Sequence, residues 1–123
     1  MQEPAVGYER LAGAALGQFC GDALGMPMEG LGPEVIMDEF GFPEKMLPGW
    51  RPAGSYTDDT QMMIGILETL AAKGRLDAAH LAKRFAANFD PGRGYGGRIS
   101  GVMERIKEGL PWDRVGTDSF GNG

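Results

Sequence analysis

Apolar positions recur at helical spacing over most of the chain. From about Tyr8 to Gly25 they predict a helix, crossed by a stripe of Gly13, Gly17, Gly21 and Gly25 at every fourth position. Each glycine costs about 1 kcal/mol relative to alanine in a helix interior. The stripe therefore predicts a backbone packed very close against another core helix. Pro27 ends this helix, and 28–33 reads as a loop. Pro33 at a first helical position, with Val35, Ile36 and Phe40 behind it, predicts a short helix. Residues 41–56 carry Pro43, Pro48, Pro52 and several glycines without periodicity; a connection of that length is usually functional or mobile. Beyond Thr57, the residues Met62, Met63, Ile64, Ile66, Leu67 and Leu70 go nearly all the way round, which predicts a buried helix closed by Lys73-Gly74-Arg75. Asp77 caps a helix bearing Leu81, Phe85 and Phe89. After the glycine-rich loop 90–97, Ile99, Val102, Met103 and Ile106 mark another that stops at Gly109. No stretch alternates as a strand does. The prediction is an all-α fold with four sizeable helices and one short one.

A chain of 123 residues with 42% apolar content fits one domain with a modest core. The net charge of −5 argues against a nucleic-acid partner, which wants a basic face. An anionic ligand would need metal ions or backbone N–H groups to receive it. Residues 11–21 are apolar but short, glycine-rich and flanked by Glu9 and Asp22, so neither a membrane span nor a signal peptide is expected. Cys20 is the single cysteine, which excludes an internal disulfide and fits a reducing, cytoplasmic setting. It reads as a small buried hydrophobe, since His80 is the single histidine available to activate it. His80 itself, one turn from Arg84, reads as a surface residue. Asp22 is the one charge between Leu11 and Met28. It is either hydrogen-bonded to a partner or aimed at a site, because an unpaired buried carboxylate is expensive.

The candidate chemistry centres on Thr57-Asp58-Asp59, where a loop becomes a helix. One reading is a plain N-cap, with Thr57 capping and the two aspartates offsetting the helix dipole. The other is a hard-cation site. At the first turn both carboxylates can point off the helix end and a hydroxyl can join them, an oxygen set that suits Mg²⁺ or Mn²⁺. Glycine loops at 93–97 and 119–123 expose backbone N–H groups that could cradle an anion, or simply make turns. Neither is a Walker loop or a dinucleotide fingerprint.

Taken in order, these pieces resemble the ADP-ribosylglycohydrolase family. They are Gly13 to Gly17, Gly21-Asp22-Ala23-Leu24-Gly25-Met26-Pro27-Met28-Glu29, Gly54 to Met62, Arg93-Gly94-Tyr95-Gly96, and Ser119-Phe120-Gly121-Asn122-Gly123. The resemblance implies an all-α enzyme with two divalent ions, usually Mg²⁺ and sometimes Mn²⁺. Such an enzyme hydrolyses the bond between ADP-ribose and a modified protein side chain or a related small-molecule acceptor. By position, Thr57, Asp58 and Asp59 resemble the first metal ligands, with Asp58 and Asp59 thereby catalytic. Glu29 resembles the acidic residue near the scissile bond. Gly94, Tyr95 and Gly96, with Ser119, Gly121 and Asn122, resemble the substrate-binding loops.

The family's remaining metal ligands come from a paired-aspartate motif far downstream, and 1–123 contains none. The expectation is therefore that 1–123 is the N-terminal part of a single domain, whose missing C-terminal segment completes it and without which activity is low. The family also has non-catalytic, crystallin-like relatives, so an ADP-ribose-binding or structural protein is the alternative.

Overall fold

The computed structural model describes residues 7–118. Among them every regular element is helical, in agreement with the all-α prediction. The α-helices are α1 (Tyr8–Gly25), α2 (Pro33–Glu39), α3 (Asp58–Lys73), α4 (Ala78–Asn88) and α5 (Ile99–Lys107), joined in places by single 3₁₀ turns. No helix among the described residues is long and apolar enough to cross a membrane. The chain divides into two compact units, Met1–Thr60 and Gln61–Gly123.

In the first unit, α1 runs straight into a 3₁₀ turn at Met26–Met28, where the Pro27 ring fits the first positions without needing an N–H. Ala23, Met26 and Met28 are buried. The irregular segment after α2 crosses this turn at Gly49. A Cβ there would lie 2.7 Å from Pro27 Cα, so only glycine lets the two backbones approach. Tyr56 meets Phe19 of α1 edge-on, with ring centroids 6.3 Å apart.

Three expectations about α1 and α3 need correction. Among the described residues nothing packs against the glycine stripe of α1. A Cβ added at Gly13, Gly17, Gly21 or Gly25 would meet nothing within 4 Å, and Leu16 beside them is 64% exposed. Cys20 is exposed rather than buried, because it lies on that open side of the helix. Nor is α3 buried by its apolar ring. Its buried positions are Thr60, Gln61, Gly65 and Thr69, while Met62, Met63, Ile64, Leu67 and Leu70 are half-buried and Ile66 is exposed. The polar and small residues occupy the inward stripe because each has a hydrogen bond or a close contact to make there.

In the second unit, α4 and α5 pack together around Ala86 and Met103, with Val115 closing the end. Asp77 caps α4 as predicted, its Oδ1 accepting from His80 N at 2.9 Å. His80 is not a plain surface residue, since its Nδ1 lies 3.1 Å from the hydroxyl of buried Thr69. The Thr69 hydroxyl also donates to the Gly65 carbonyl one turn back, at 2.9 Å. Gly74 and Gly109, at φ +66° and +91°, end α3 and α5 in the left-handed conformation that glycine adopts without penalty.

Candidate functional site

Helix α3 starts at Asp58, so Thr57 stands at its N-cap. The cap is not made by Thr57. Its backbone N–H donates to Asp22 Oδ2 at 2.9 Å and its hydroxyl donates to Asp22 Oδ1 at 2.6 Å. Thr60, at the third helical position, donates to Asp22 Oδ2 through its N–H at 3.2 Å and its hydroxyl at 2.5 Å. Asp22 on α1 is thus the acceptor for two of the free N–H groups at this helix start, those of Thr57 and Thr60. That resolves the two possibilities for Asp22 in favour of hydrogen-bonded partners. It also corrects the expectation that the Thr57 side chain caps its own helix.

Thr57 is 4% exposed, Asp58 half-buried and Asp59 exposed. Burial, and next the adjacent Asp59 charge, hold the Asp58 carboxyl above its ordinary range. The two carboxylates and the hydroxyl oxygen are a hard donor set by type, of the kind that a divalent cation takes. In chemistry these residues fit such an ion. They are only part of a shell, however. Among the described residues no three Asp, Glu, His or Cys side chains gather into a group that could hold a metal, so Glu29 does not join Asp58 and Asp59 in one.

Glu29 follows the 3₁₀ turn at Met26–Met28, and its side chain is exposed with no hydrogen bond to a described residue. Gly94 ends a 3₁₀ turn at Pro91–Arg93 with φ +95°, where a left-handed glycine turns the chain toward Tyr95. The Tyr95 hydroxyl donates to Gln61 Oε1 at 2.9 Å, and its ring packs on Phe89 with centroids 4.8 Å apart. Gln61 Oε1 also accepts from Asp90 N at 3.0 Å. Gly96 is exposed. Ser119, Gly121 and Asn122 lie outside the described residues.

The sequence left Asp22 between two alternatives and gave Gln61 no role. The partners of Asp22 lie 35 and 38 positions away, beyond any local pattern; its solitary charge in an apolar helix was the available signal. Gln61 sits inside the Thr57–Met62 block, and its burial at 7% exposure has no sequence marker beyond that adjacency.

Residues 3–123 match the family model described as ADP-ribosylglycohydrolase. The chain is similar to ADP-ribosyl-[dinitrogen reductase] glycohydrolase of Rhodospirillum rubrum, 41% identical over 90 residues that cover 70% of this chain and 30% of that protein. It is 33% identical over 116 residues to an uncharacterized protein of Archaeoglobus fulgidus, covering 90% of this chain and 38% of the relative. With ADP-ribosylhydrolase ARH3 of Gallus gallus the identity is 34% over 109 residues, covering 79% and 30%. The chain thus spans about a third of the length of these curated relatives. Both the order of its motifs and the match along nearly its whole length lead to one assignment: the chain belongs to the ADP-ribosylglycohydrolase family.

Proposed function

We propose that residues 1–123 form the N-terminal part of one ADP-ribosylglycohydrolase domain and carry half of a metal-dependent hydrolytic site, working in the cytoplasm. The reaction is hydrolysis of the glycosidic bond between ADP-ribose and a protein side chain or related acceptor. Water adds at the anomeric carbon, and the acceptor leaves with a proton. The observation that carries the reading is the start of α3, where the Thr57 hydroxyl donates to Asp22 and two carboxylates, Asp58 and Asp59, follow in the first turn.

In this reading Thr57, Asp58 and Asp59 hold Mg²⁺ or Mn²⁺, with further donors from outside the described residues. When bound, such ions orient ribose hydroxyls and polarise water. Glu29, exposed and without a partner among the described residues, moves the proton between water and the leaving acceptor, the task of a carboxylate in glycoside hydrolysis. Gly94, Tyr95 and Gly96 contact substrate, as do Ser119, Gly121 and Asn122. The chain by itself would bind metal weakly and turn over little.

The test is titration calorimetry with MgCl₂ and MnCl₂ on the protein and on its Asp58→Asn and Asp59→Asn variants, alongside release of ADP-ribose from an ADP-ribosylated peptide. Metal-binding heat that either substitution abolishes supports the assignment. Equal heats from all three proteins would end it.

A further inference from the structure

Resting on the metal role just given to Thr57, Asp58 and Asp59, we propose that Asp22 is the positioning residue of that site. It takes over the capping of α3 so that the Thr57 oxygen and the first-turn carboxylates stay available to a cation. In an ordinary N-cap the threonine oxygen accepts from the N–H two or three residues on, and its lone pairs are consumed by the helix. Here the Thr60 N–H that would claim them goes to Asp22 Oδ2. The Thr57 hydroxyl donates to Asp22 Oδ1 at 2.6 Å and also reaches the Asp58 carboxylate, and its oxygen accepts from no N–H among the described residues. The negative charge of Asp22 also faces the positive end of the helix. Asp58 and Asp59 are then not required for that duty. Two further bonds, from Thr57 N and Thr60 Oγ1, hold the carboxylate in place, so the geometry is over-determined rather than incidental. Phe19, one turn before Asp22 on α1, packs on Tyr56 and sets the approach of the loop. Outer partners that orient metal ligands in this way typically change metal affinity by about 10–100-fold when removed.

The contrary role is a structural tether that joins α1 to the start of α3 and does nothing for the donors. Nuclear magnetic resonance of the ¹⁵N-labelled protein separates the two, using Mn²⁺ alone as the probe. Paramagnetic broadening of the Asp58 and Asp59 amides reports even weak binding, and exchange of the Thr60 amide reports the cap. In the unsubstituted protein Mn²⁺ should broaden the Asp58 and Asp59 amides, with Thr60 protected. Asp22→Asn should weaken the Mn²⁺ response about ten-fold or more and expose the Thr60 amide. Thr57→Val should weaken Mn²⁺ to a similar degree yet leave Thr60 protected, because Asp22 still caps; Thr57→Ser should restore the response. A folded Asp22→Asn protein with unchanged Mn²⁺ broadening overturns the proposal and leaves the metal site standing. Should Asp22→Asn fail to fold, Thr57→Val decides, and loss of Thr60 protection in it would show Thr57 to be the true cap. No broadening in the unsubstituted protein would sink the metal assignment, and the role given to Asp22 with it.

Discussion

Gly65→Ala and Gly17→Ala are the same chemical change in two helix interiors, and the structure gives them different outcomes. Either alanine should gain about 1 kcal/mol of intrinsic helix propensity. At Gly17 nothing lies within 4 Å of the new methyl, so that gain should appear in full. At Gly65 the methyl would sit 2.8 Å from Phe85 Cδ1 and 3.0 Å from Cε1. Carbon atoms prefer separations of about 3.5–4.0 Å, so the ring must retreat by roughly 0.7 Å or more. Phe85 lies on α4, and the Gly65 carbonyl holds the Thr69 hydroxyl, so neither helix shifts without disturbing other contacts. Overpacking of this kind costs about 1–3 kcal/mol, which offsets or exceeds the propensity gain. Relative to Gly17→Ala, Gly65→Ala should therefore be less stable by about 1–3 kcal/mol. Urea unfolding followed by far-ultraviolet circular dichroism measures both, and Phe85→Leu in the Gly65→Ala background should recover part of the loss. Equal stabilisation by the two substitutions would refute the contact between α3 and α4. Destabilisation by Gly17→Ala would refute the open face of α1.

Two further perturbations test the second unit. Gln61→Leu removes the acceptor shared by Asp90 N and the Tyr95 hydroxyl, and each lost hydrogen bond should cost about 0.5–1.5 kcal/mol; hydrogen exchange across 90–97 should accelerate, and unchanged exchange would show that Gln61 does not hold this loop. Glu68 is bound by Arg84 through two bonds of 2.8 and 2.7 Å, and the Arg84 hydrogen bond, then that of Asn88, hold its carboxyl below the ordinary 4.5. Because the folded value is the lower one, its contribution is present above about pH 4.5 and is lost as pH falls through the folded value. The stability deficit of Glu68→Gln should accordingly shrink on acidification below pH 4.5, as read from unfolding curves at stepped pH, and a deficit that grew instead would reverse the assigned sign.

What the sequence disclosed was local. Helix bounds follow from short-range chemistry: Pro33 at a helix start, Asp77 accepting from His80 N, Gly74 and Gly109 at positive φ. The order of motifs was enough to point to the family. Burial was the weak part, because periodicity shows that a face is apolar without showing what covers it. The α1 glycine stripe and the α3 apolar ring both looked like core. The tight glycine proved to be Gly65, set by a phenylalanine on another helix, and the inward stripe of α3 proved to be Gln61, Gly65 and Thr69.

The start of α3 shows why a choice between cap and ligand could not be made from adjacent residues. Thr57-Asp58-Asp59 satisfies the rules for a helix N-terminus completely, and from sequence a cap and a cation site compete for the same oxygen atoms. They stop competing once a fourth residue takes one of the two jobs. Asp22 does so from 38 positions away, accepting the Thr60 N–H that Thr57 would otherwise bind. Two N–H groups of the helix end are then satisfied without spending the Thr57 oxygen, while burial and the Asp59 charge hold the Asp58 carboxyl above its ordinary range. The Gly21–Glu29 and Gly54–Met62 blocks thus meet at this point, the first supplying through Asp22 the acceptor for the N–H groups of Thr57 and Thr60 in the second.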